Sequence, residues 1–410
     1  MMETQEGISN QEKEEIIFVS ETLPNTRKKS LNLFDSTLLT MGSIIGTGIF
    51  LSVGDVVKHL DSIFYSLLMW VLCGLISLGA ALCYAELGLL LPSSGGEYAF
   101  YVEAYHEILG FAFIECNIFL LRPIGFAILT SFTLETFINS IYSDVDMLTI
   151  RTYSVILVIV ISFVQCLSDK VSIWIMNALT YLKFVGMAFI VGLALYMLCR
   201  GKTENIKDWN FKAKITPMKL ACAFYPTMWT YDGFTQLIYF VKEIKNPTKN
   251  LVYASVIGIG LVTALYFLIN FSYFVIIGVE GMKSFEGVAI SIARPYIGKY
   301  SVIIAILVSF SSLGSAFGLA YASARIYSDA AKNNNFPLIF SAMHSSSKTL
   351  IPAIIIQAIF AIFYLAIPSN LEDFIWYFSG AAWIFYSLAI VAVVVLRFRK
   401  PGPRIFKVII

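Results

Sequence analysis

Two apolar segments of this chain, each long enough to cross a bilayer, are interrupted near their middle by residues that break helices. The first reads MGSIIGTGIFLS at residues 41–52 and contains three glycines, each of which costs about 1 kcal/mol relative to alanine inside a helix. The second reads FYPTMWTYDGFTQL at residues 224–237, with Pro226 followed by the turn-forming pair Asp232-Gly233. These breaks constrain the fold strongly, because unpaired backbone groups in hydrocarbon cost several kcal/mol each.

The composition is that of a polytopic helical membrane protein. Of 410 residues, 58% are hydrophobic and 14% are charged, whereas soluble chains carry about 25% charged residues. The net charge of +2 gives no field that would attract nucleic acid. The six cysteines and three histidines form no metal or redox motif, so we predict no metal ion and no cofactor.

The apolar runs predict ten transmembrane spans. Their approximate ranges are 33–54, 62–91, 108–140, 151–168, 172–199, 218–240, 250–278, 301–328, 350–367 and 373–397. Basic clusters near both ends of the chain, together with the even number of spans, place both termini in the cytosol. Six basic residues between spans five and six conflict with this orientation, because it puts that loop outside.

The spans divide the chain into two halves of five. The predicted organisation is a disordered cytosolic tail at 1–30, a first five-span repeat at 31–200, an external loop at 201–217, a second five-span repeat at 218–397 and a basic cytosolic tail at 398–410. The first and the sixth span are the broken ones. Paired breaks in corresponding spans of two halves indicate a transporter site built from inverted repeats.

The break in the first span suits an α-amino acid. The half-helix that follows Gly46, Thr47 and Gly48 offers free N–H groups and a positive dipole end to a carboxylate. The carbonyls before the break, at Ile44 and Ile45, would accept from an ammonium group. The alternative is that the small residues only allow two helices to pack closely.

Four stretches of the sequence resemble one family. They are GSIIGTGIF, CYAELGLLLPSSGGEYAFYVEAY, YDGFTQLIYFVKEIKNPTKNL and FSGAAWIFYSLAIVAVVVLRFRK. They resemble the L-type amino acid transporters, the light subunits of heteromeric amino acid transporters in the amino acid–polyamine–organocation superfamily. The similarity is closest to the b-zero-plus type, which exchanges cationic amino acids, cystine and neutral amino acids. It implies an all-α membrane protein with the leucine-transporter-like five-plus-five inverted repeat.

The resemblance also implies which residues hold the substrate. It places the carboxylate on the amides of Thr47 and Gly48, and the ammonium on Ile44 and the carbonyl of Trp229. The free carbonyls before the break add the backbone of Ile45 to the predicted site.

The broken sixth span supplies the remaining predicted substrate contacts. Thr230 and Phe234 lie in it, and Phe234 stands where the family has a bulky gating aromatic residue. Asp232 matches an acidic position of the b-zero-plus type, where a carboxylate could meet a lysine or arginine side chain of the substrate. The alternative is a turn residue that bonds to local amides.

Lys183 is a charge deep inside the fifth predicted span, about twelve residues from its start. The resemblance matches it to a lysine whose ammonium occupies the place of a sodium ion, with oxygens supplied by Ser311 and Ser312. This implies transport without sodium. Other charges at membrane depth fit a structural ion pair as well as a substrate contact: Glu86, Glu115, Arg122 and Glu135.

The predicted function is therefore a sodium-independent secondary transporter that exchanges neutral L-amino acids across the plasma membrane. Two alternatives for its selectivity stay open: Asp232 would add cationic substrates, whereas Trp229 and Phe234 would favour aromatic ones. No enzyme is predicted, because the sequence has no HExxH motif and no clustered acid pair. The loop NSIYSDVDMLTIRTYS has no cysteine, so a heavy-chain glycoprotein partner would bind without a disulfide. The chain also stops soon after span ten, where the family continues for two spans. A non-transporting or partner-dependent short isoform is the alternative.

Overall fold

The computed structural model describes residues 16–18, 31–92, 96–142, 145–283, 301–344, 347, 349–401, 404 and 406–408. Within these residues the chain is almost entirely helical, and seven helices are long and apolar enough to cross a membrane. A shorter apolar helix and the two broken segments account for the other predicted spans. The all-α fold with breaks in the first and sixth spans is confirmed.

The first half of the bundle contains spans 1 to 5 and one loop helix. Span 1 is Leu33–Ile44 followed after the break by Gly48–Leu51 and Val53–Leu60; span 2 is Ile63–Leu90; the loop helix is Glu97–Ala104; span 3 is Glu107–Cys116, a π-helical turn Asn117–Leu121 and Arg122–Ile141; span 4 is Met147–Leu167; span 5 is Asp169–Cys199.

The second half also begins with a broken span, and contains spans 6 to 10. Span 6 is Pro217–Thr230 followed after the break by the 3₁₀ helix Gln236–Glu243; span 7 is Pro247–Lys283; span 8 is Ser301–Lys332; span 9 is Ile351–Ala366; span 10 is Leu371–Arg399. Two short 3₁₀ helices, Glu204–Ile206 and Leu338–Ser341, lie in connecting segments. Strand β1 (Ile16–Phe18) pairs antiparallel with strand β2 (Ala342–His344), a pairing that composition does not predict.

Local sequence explains where the broken spans begin. Asn32 and Asp35 form a reciprocal capping box at the start of span 1, which satisfies two backbone donors of the first turn. Thr216 caps span 6 by accepting from the amide of Lys219 at 3.3 Å. Pro217 follows at the first helical position, where its missing N–H costs nothing.

Leu31 before span 1 and Val408 after span 10 lie at the same end of the bundle, here named the terminal end. Leu31, just before span 1, exchanges backbone hydrogen bonds with Glu243 and Lys245 at the end of span 6. Buried Glu86, near the end of span 2, accepts from Arg397 in span 10 and from the backbone N–H of Val408. Of the two alternatives for Glu86, a structural ion pair and a substrate contact, these contacts support the structural ion pair.

Span 7 holds the first broken span in place. Span 7 packs against spans 1 and 2, and span 8 packs against spans 3 and 5. The second segment of span 1 packs against span 6. The two breaks therefore meet in the interior of the bundle, beside span 7.

Candidate functional site

The two helix breaks touch at Gly48 and Thr230. A β-carbon on Gly48 would lie 2.6 Å from the Thr230 hydroxyl oxygen and 2.7 Å from its Cα atom, so only glycine fits there. Gly233 has φ +106°, and a β-carbon there would collide with the carbonyl of Ser43. The Ser43 hydroxyl donates to the Gly233 carbonyl at 3.1 Å. Glycines that look like helix breakers in the sequence thus let the two breaks approach each other.

One tyrosine of span 7 holds the carbonyls of both breaks. The hydroxyl of Tyr266 donates to the Ile44 carbonyl at 3.0 Å and to the Thr230 carbonyl at 3.2 Å. Its ring is fully buried against Trp70 and Tyr231, at centroid distances of 5.7 and 5.1 Å. The sequence reasoning missed Tyr266, because a tyrosine in a long apolar helix carries no signal of such a role.

Lys183 reaches the break of span 1 from span 5. Its ammonium donates to the Ile45 carbonyl at 2.8 Å and to the Ser315 hydroxyl at 3.2 Å, and the residue is 5% exposed. The serine that contacts it is thus Ser315 rather than Ser311 or Ser312. Ser315 lies one helical turn after Ser311, a spacing that could have pointed to it.

The two serines implied by the resemblance have other surroundings. Ser312 donates to the carbonyl of Leu129 in span 3 at 3.0 Å. The hydroxyl of Ser311 is buried and has no hydrogen-bond partner among the described residues. Ser311 and Ser312 therefore belong to the packing of span 8 near Lys183 without contacting its ammonium directly in this structure.

Unpaired donors gather where the second segment of span 1 begins. Gly48 opens this segment and Thr47 precedes it without making a side-chain cap. The first amides of a helix have no intrahelical acceptor. The Thr47 side chain is buried, and its hydroxyl has no partner within the described part of the chain. A buried unpaired hydroxyl beside free amides is suited to bind an anion such as a carboxylate.

Phe234 belongs to an aromatic cluster on the terminal-end side of the breaks. Its ring centroid lies 5.9 Å from that of Tyr84, 5.1 Å from that of Tyr386 and 6.4 Å from that of Trp383. Phe234 itself is 3% exposed, whereas Trp229 on the other side of the break is half-buried. The two predicted aromatic residues thus flank the break of span 6.

A small charged cavity of about 10 Å³ lies next to this cluster and has room for about one water molecule. The loop helix, span 3, the break of span 6 and span 10 supply its polar lining. The lining residues, in that order, are Glu97, Asn117, Arg122, Asp232, Thr235 and Tyr386. The Tyr386 hydroxyl donates to the Asp232 carboxylate, and Arg122 donates to the side-chain oxygen of Asn117 at 3.3 Å. Asp232 therefore bonds to a side chain of span 10, which sequence reasoning did not anticipate.

The structure brings most predicted site residues together. Ile44, Ile45, Thr47 and Gly48 surround the first break, and Gly46 lies between them at the same break. The carbonyls of Ile44 and Ile45 already accept from Tyr266 and Lys183, but each carbonyl has a second lone pair. The pair of breaks thus combines acceptors for an ammonium with donors for a carboxylate.

Known proteins resemble this chain in sequence and in fold. The model of the amino acid permease family matches residues 31–410. The b(0,+)-type amino acid transporter 1 of Homo sapiens is 32% identical over 400 residues, which cover 97% of this chain and 82% of that protein. The cystine/glutamate transporter of Homo sapiens is 30% identical over 386 residues, covering 93% and 76%. The structure of MhsT in complex with L-phenylalanine matches with a TM-score of 0.60 at 14% identity, covering 92% of this chain and 91% of that chain. The predicted leucine-transporter-like fold is confirmed.

Proposed function

Because the chain belongs to the amino acid permease family, we propose that it exchanges L-amino acids across the plasma membrane by alternating access. The observation that carries this proposal is the contact between two helix breaks at Gly48 and Thr230. A site formed between two repeats can be exposed to either side when one repeat rocks against the other. In this proposal both chain termini face the cytosol, and the terminal end of the bundle is the cytosolic end.

The substrate binds through both of its backbone charges. Its carboxylate accepts from the free amides of Thr47 and Gly48 and from the Thr47 hydroxyl, which is buried and has no partner among the described residues. Its ammonium donates to the second lone pair of the Ile44 carbonyl and to the Trp229 carbonyl, which already accepts from the amide of Asp232 at 3.1 Å. Each group replaces the water that the substrate loses on entering the bundle, which offsets the cost of desolvating the zwitterion.

Transport does not need sodium in this proposal. The ammonium of Lys183 is fixed 2.8 Å from the Ile45 carbonyl and 3.2 Å from Ser315, beside the first break. A sodium ion would need oxygen ligands of this kind, and a fixed positive charge at the same oxygens repels it. The lysine therefore supplies the charge that a bound cation would supply.

The substrates are neutral and cationic amino acids. Asp232 offers a carboxylate at the break of span 6, and the b(0,+)-type relative is 32% identical over 97% of this chain. A heavy-chain glycoprotein would associate without a disulfide, because the loop NSIYSDVDMLTIRTYS contains no cysteine.

The test is uptake of labelled leucine and arginine into proteoliposomes that contain the purified protein. We expect uptake that rises when the vesicles are preloaded with unlabelled amino acid and that is unchanged when choline replaces sodium. Vesicles with the Gly48→Val variant serve as the control. Absence of leucine and arginine uptake would overturn the proposal of transport. An uptake rate that does not depend on internal amino acid would contradict exchange. A large loss of uptake in choline would contradict sodium independence.

A further inference from the structure

The small charged cavity beside the breaks contains one basic group and two acidic groups. Arg122 comes from span 3, Asp232 from the break of span 6, and Glu97 from the start of the loop helix. The Arg122 guanidinium interacts electrostatically with both carboxylates. The three groups carry a net charge of −1 when both acids are ionised, and zero when one acid is protonated.

Glu97 is held in this cavity by several contacts. It is 4% exposed, and its two carboxylate oxygens accept from the hydroxyls of Tyr84 at 2.6 Å and Tyr239 at 2.9 Å. The preceding Gly96 has φ +52°, and a β-carbon there would collide with the Tyr239 ring. The backbone is thus shaped to bury this carboxylate, although an isolated buried charge is costly.

Arg122 is held by a hydrogen bond to Asn117 and forms no close ion pair with Glu97 or Asp232 among the described residues. Among the described residues its Nε atom donates to Asn117 at 3.3 Å, across the π-helical turn of span 3. No ion pair within 4.0 Å joins Arg122 to Glu97 or Asp232 in the described part of the chain. π-helical turns occur often at functional sites, because the inserted residue redirects neighbouring side chains. The guanidinium charge is therefore shared between two carboxylates.

We propose that Arg122 sets the charge preference of the substrate site by neutralising Asp232, and that Glu97 opposes this by drawing on the same guanidinium charge. The inference rests on the proposed function and adds to it a selectivity control outside the two breaks. With Glu97 ionised, the Glu97–Arg122 pair is neutral and the charge on Asp232 attracts a cationic side chain. With Glu97 protonated, Arg122 neutralises Asp232 and the site favours neutral side chains.

Glu97 titrates in the range that makes this control useful. Burial raises its pKa to about 7, against the opposing effects of the Tyr84 and Tyr239 hydroxyls and of Arg122, while the charge of Asp232 raises it further. Two further titratable side chains interact electrostatically with Glu97: Tyr101 of the loop helix and Tyr386 of span 10. As the pH falls through this value, Glu97 gains a proton and the cavity loses a negative charge. The preference for arginine over leucine then falls.

The test compares arginine and leucine uptake by the same proteoliposomes at pH 8. Glu97→Gln lowers the arginine-to-leucine ratio and Arg122→Gln raises it, each by about threefold or more. The double variant lies between the two single variants. Glu103→Gln is the matched control, since Glu103 lies on the same loop helix and pairs with Lys400 at the surface. It leaves the ratio unchanged. A merely structural role of Glu97 or Arg122 would reduce both uptakes alike.

A pH series gives an independent readout. Between pH 8 and pH 6 the wild-type ratio falls by about threefold or more, whereas the ratio of Glu97→Gln stays flat. If the wild type takes up both amino acids but the arginine-to-leucine ratio changes in no variant, this inference is overturned and the proposed function stands. A wild type that takes up neither overturns both. If a variant shows no uptake, its melting temperature in detergent is measured with arginine and with leucine. The ratio of the two increases in melting temperature then replaces the uptake ratio and is interpreted in the same way.

Discussion

Gly48 and Thr230 are in contact, so the break of span 1 and the break of span 6 form one site. A β-carbon on Gly48 would lie 2.7 Å from the Cα atom of Thr230. Backbone atoms cannot move aside as a flexible side chain would. Any larger residue at position 48 must therefore push the two breaks apart.

Replacing Gly48 by valine should reduce amino acid uptake by about fivefold or more, because overpacking at a rigid contact costs about 1–3 kcal/mol. The measurement is the initial rate of leucine uptake per folded protein. Gly42→Ala is the matched control, since a β-carbon there meets nothing within 4 Å. Uptake by Gly48→Val at the wild-type rate would show that the breaks need not touch.

Removing the hydroxyl of Tyr266 should lower the thermal stability of the protein in detergent and slow uptake. The Tyr266→Phe variant leaves the carbonyls of Ile44 and Thr230 without this donor, and a lost buried hydrogen bond costs about 1–3 kcal/mol. Tyr273→Phe, two turns along the same helix, is the control. The Tyr273 hydroxyl has no partner among the described residues, so its removal should leave both properties unchanged. Equal effects of the two substitutions would refute the bridging role.

Replacing Lys183 by methionine should reduce uptake by about tenfold or more, since hydrogen bonds to charged groups contribute about 1.5–3 kcal/mol. The substitution leaves the Ile45 carbonyl and the Ser315 hydroxyl without their shared donor. Lys170→Met is the control, because Lys170 is exposed near the start of the same span. Uptake is measured in sodium and in choline. Wild-type uptake that collapses in choline would mean that Lys183 does not replace a cation.

Converting Asp232 to asparagine should weaken arginine uptake by about tenfold while sparing leucine, since a charge pair at about 4 Å contributes about 1–4 kcal/mol. Asparagine keeps the shape of the side chain and can still accept from Tyr386. Asp329→Asn, which removes a surface acid of span 8, is the control. Equal losses for both amino acids would instead assign Asp232 a structural role.

Replacing Glu86 by glutamine should lower the free energy of unfolding by up to about 3–5 kcal/mol, because it leaves two partly buried arginines without their counter-charge. Glu86 is 1% exposed and pairs with Arg397 at 2.6 Å and Arg404 at 3.1 Å. Glu103→Gln breaks a surface pair with Lys400 and should cost at most about 1 kcal/mol. Melting in detergent measures both. A Glu86 variant as stable as the Glu103 variant would argue against the buried network.

Much of the fold follows from local sequence. The predicted spans agree with the observed helices to within a few residues, apart from the end of span 1, which runs further than predicted. The predicted end of span 7 coincides with the kink at Gly278, where the backbone leaves the helical conformation before the helix resumes to Lys283. For span 1 the reason is visible in the pattern. Its second segment ends at Leu60, where Asp61 adopts a left-handed conformation at φ 50°, and the charged Asp55 and Lys58 inside it obscured the end of the apolar run.

The sequence alone determined the number of spans, their two broken members and the position of Lys183 and Asp232 at membrane depth. These features depend on apolar length, on helix-breaking residues and on the cost of a charge in hydrocarbon, all of which are local. Only the tertiary structure decided that Tyr266 bridges Ile44 and Thr230, and that Ser315 contacts Lys183. These partners come from different helices, and such contacts depend on how the helices pack, which no local pattern of residues specifies.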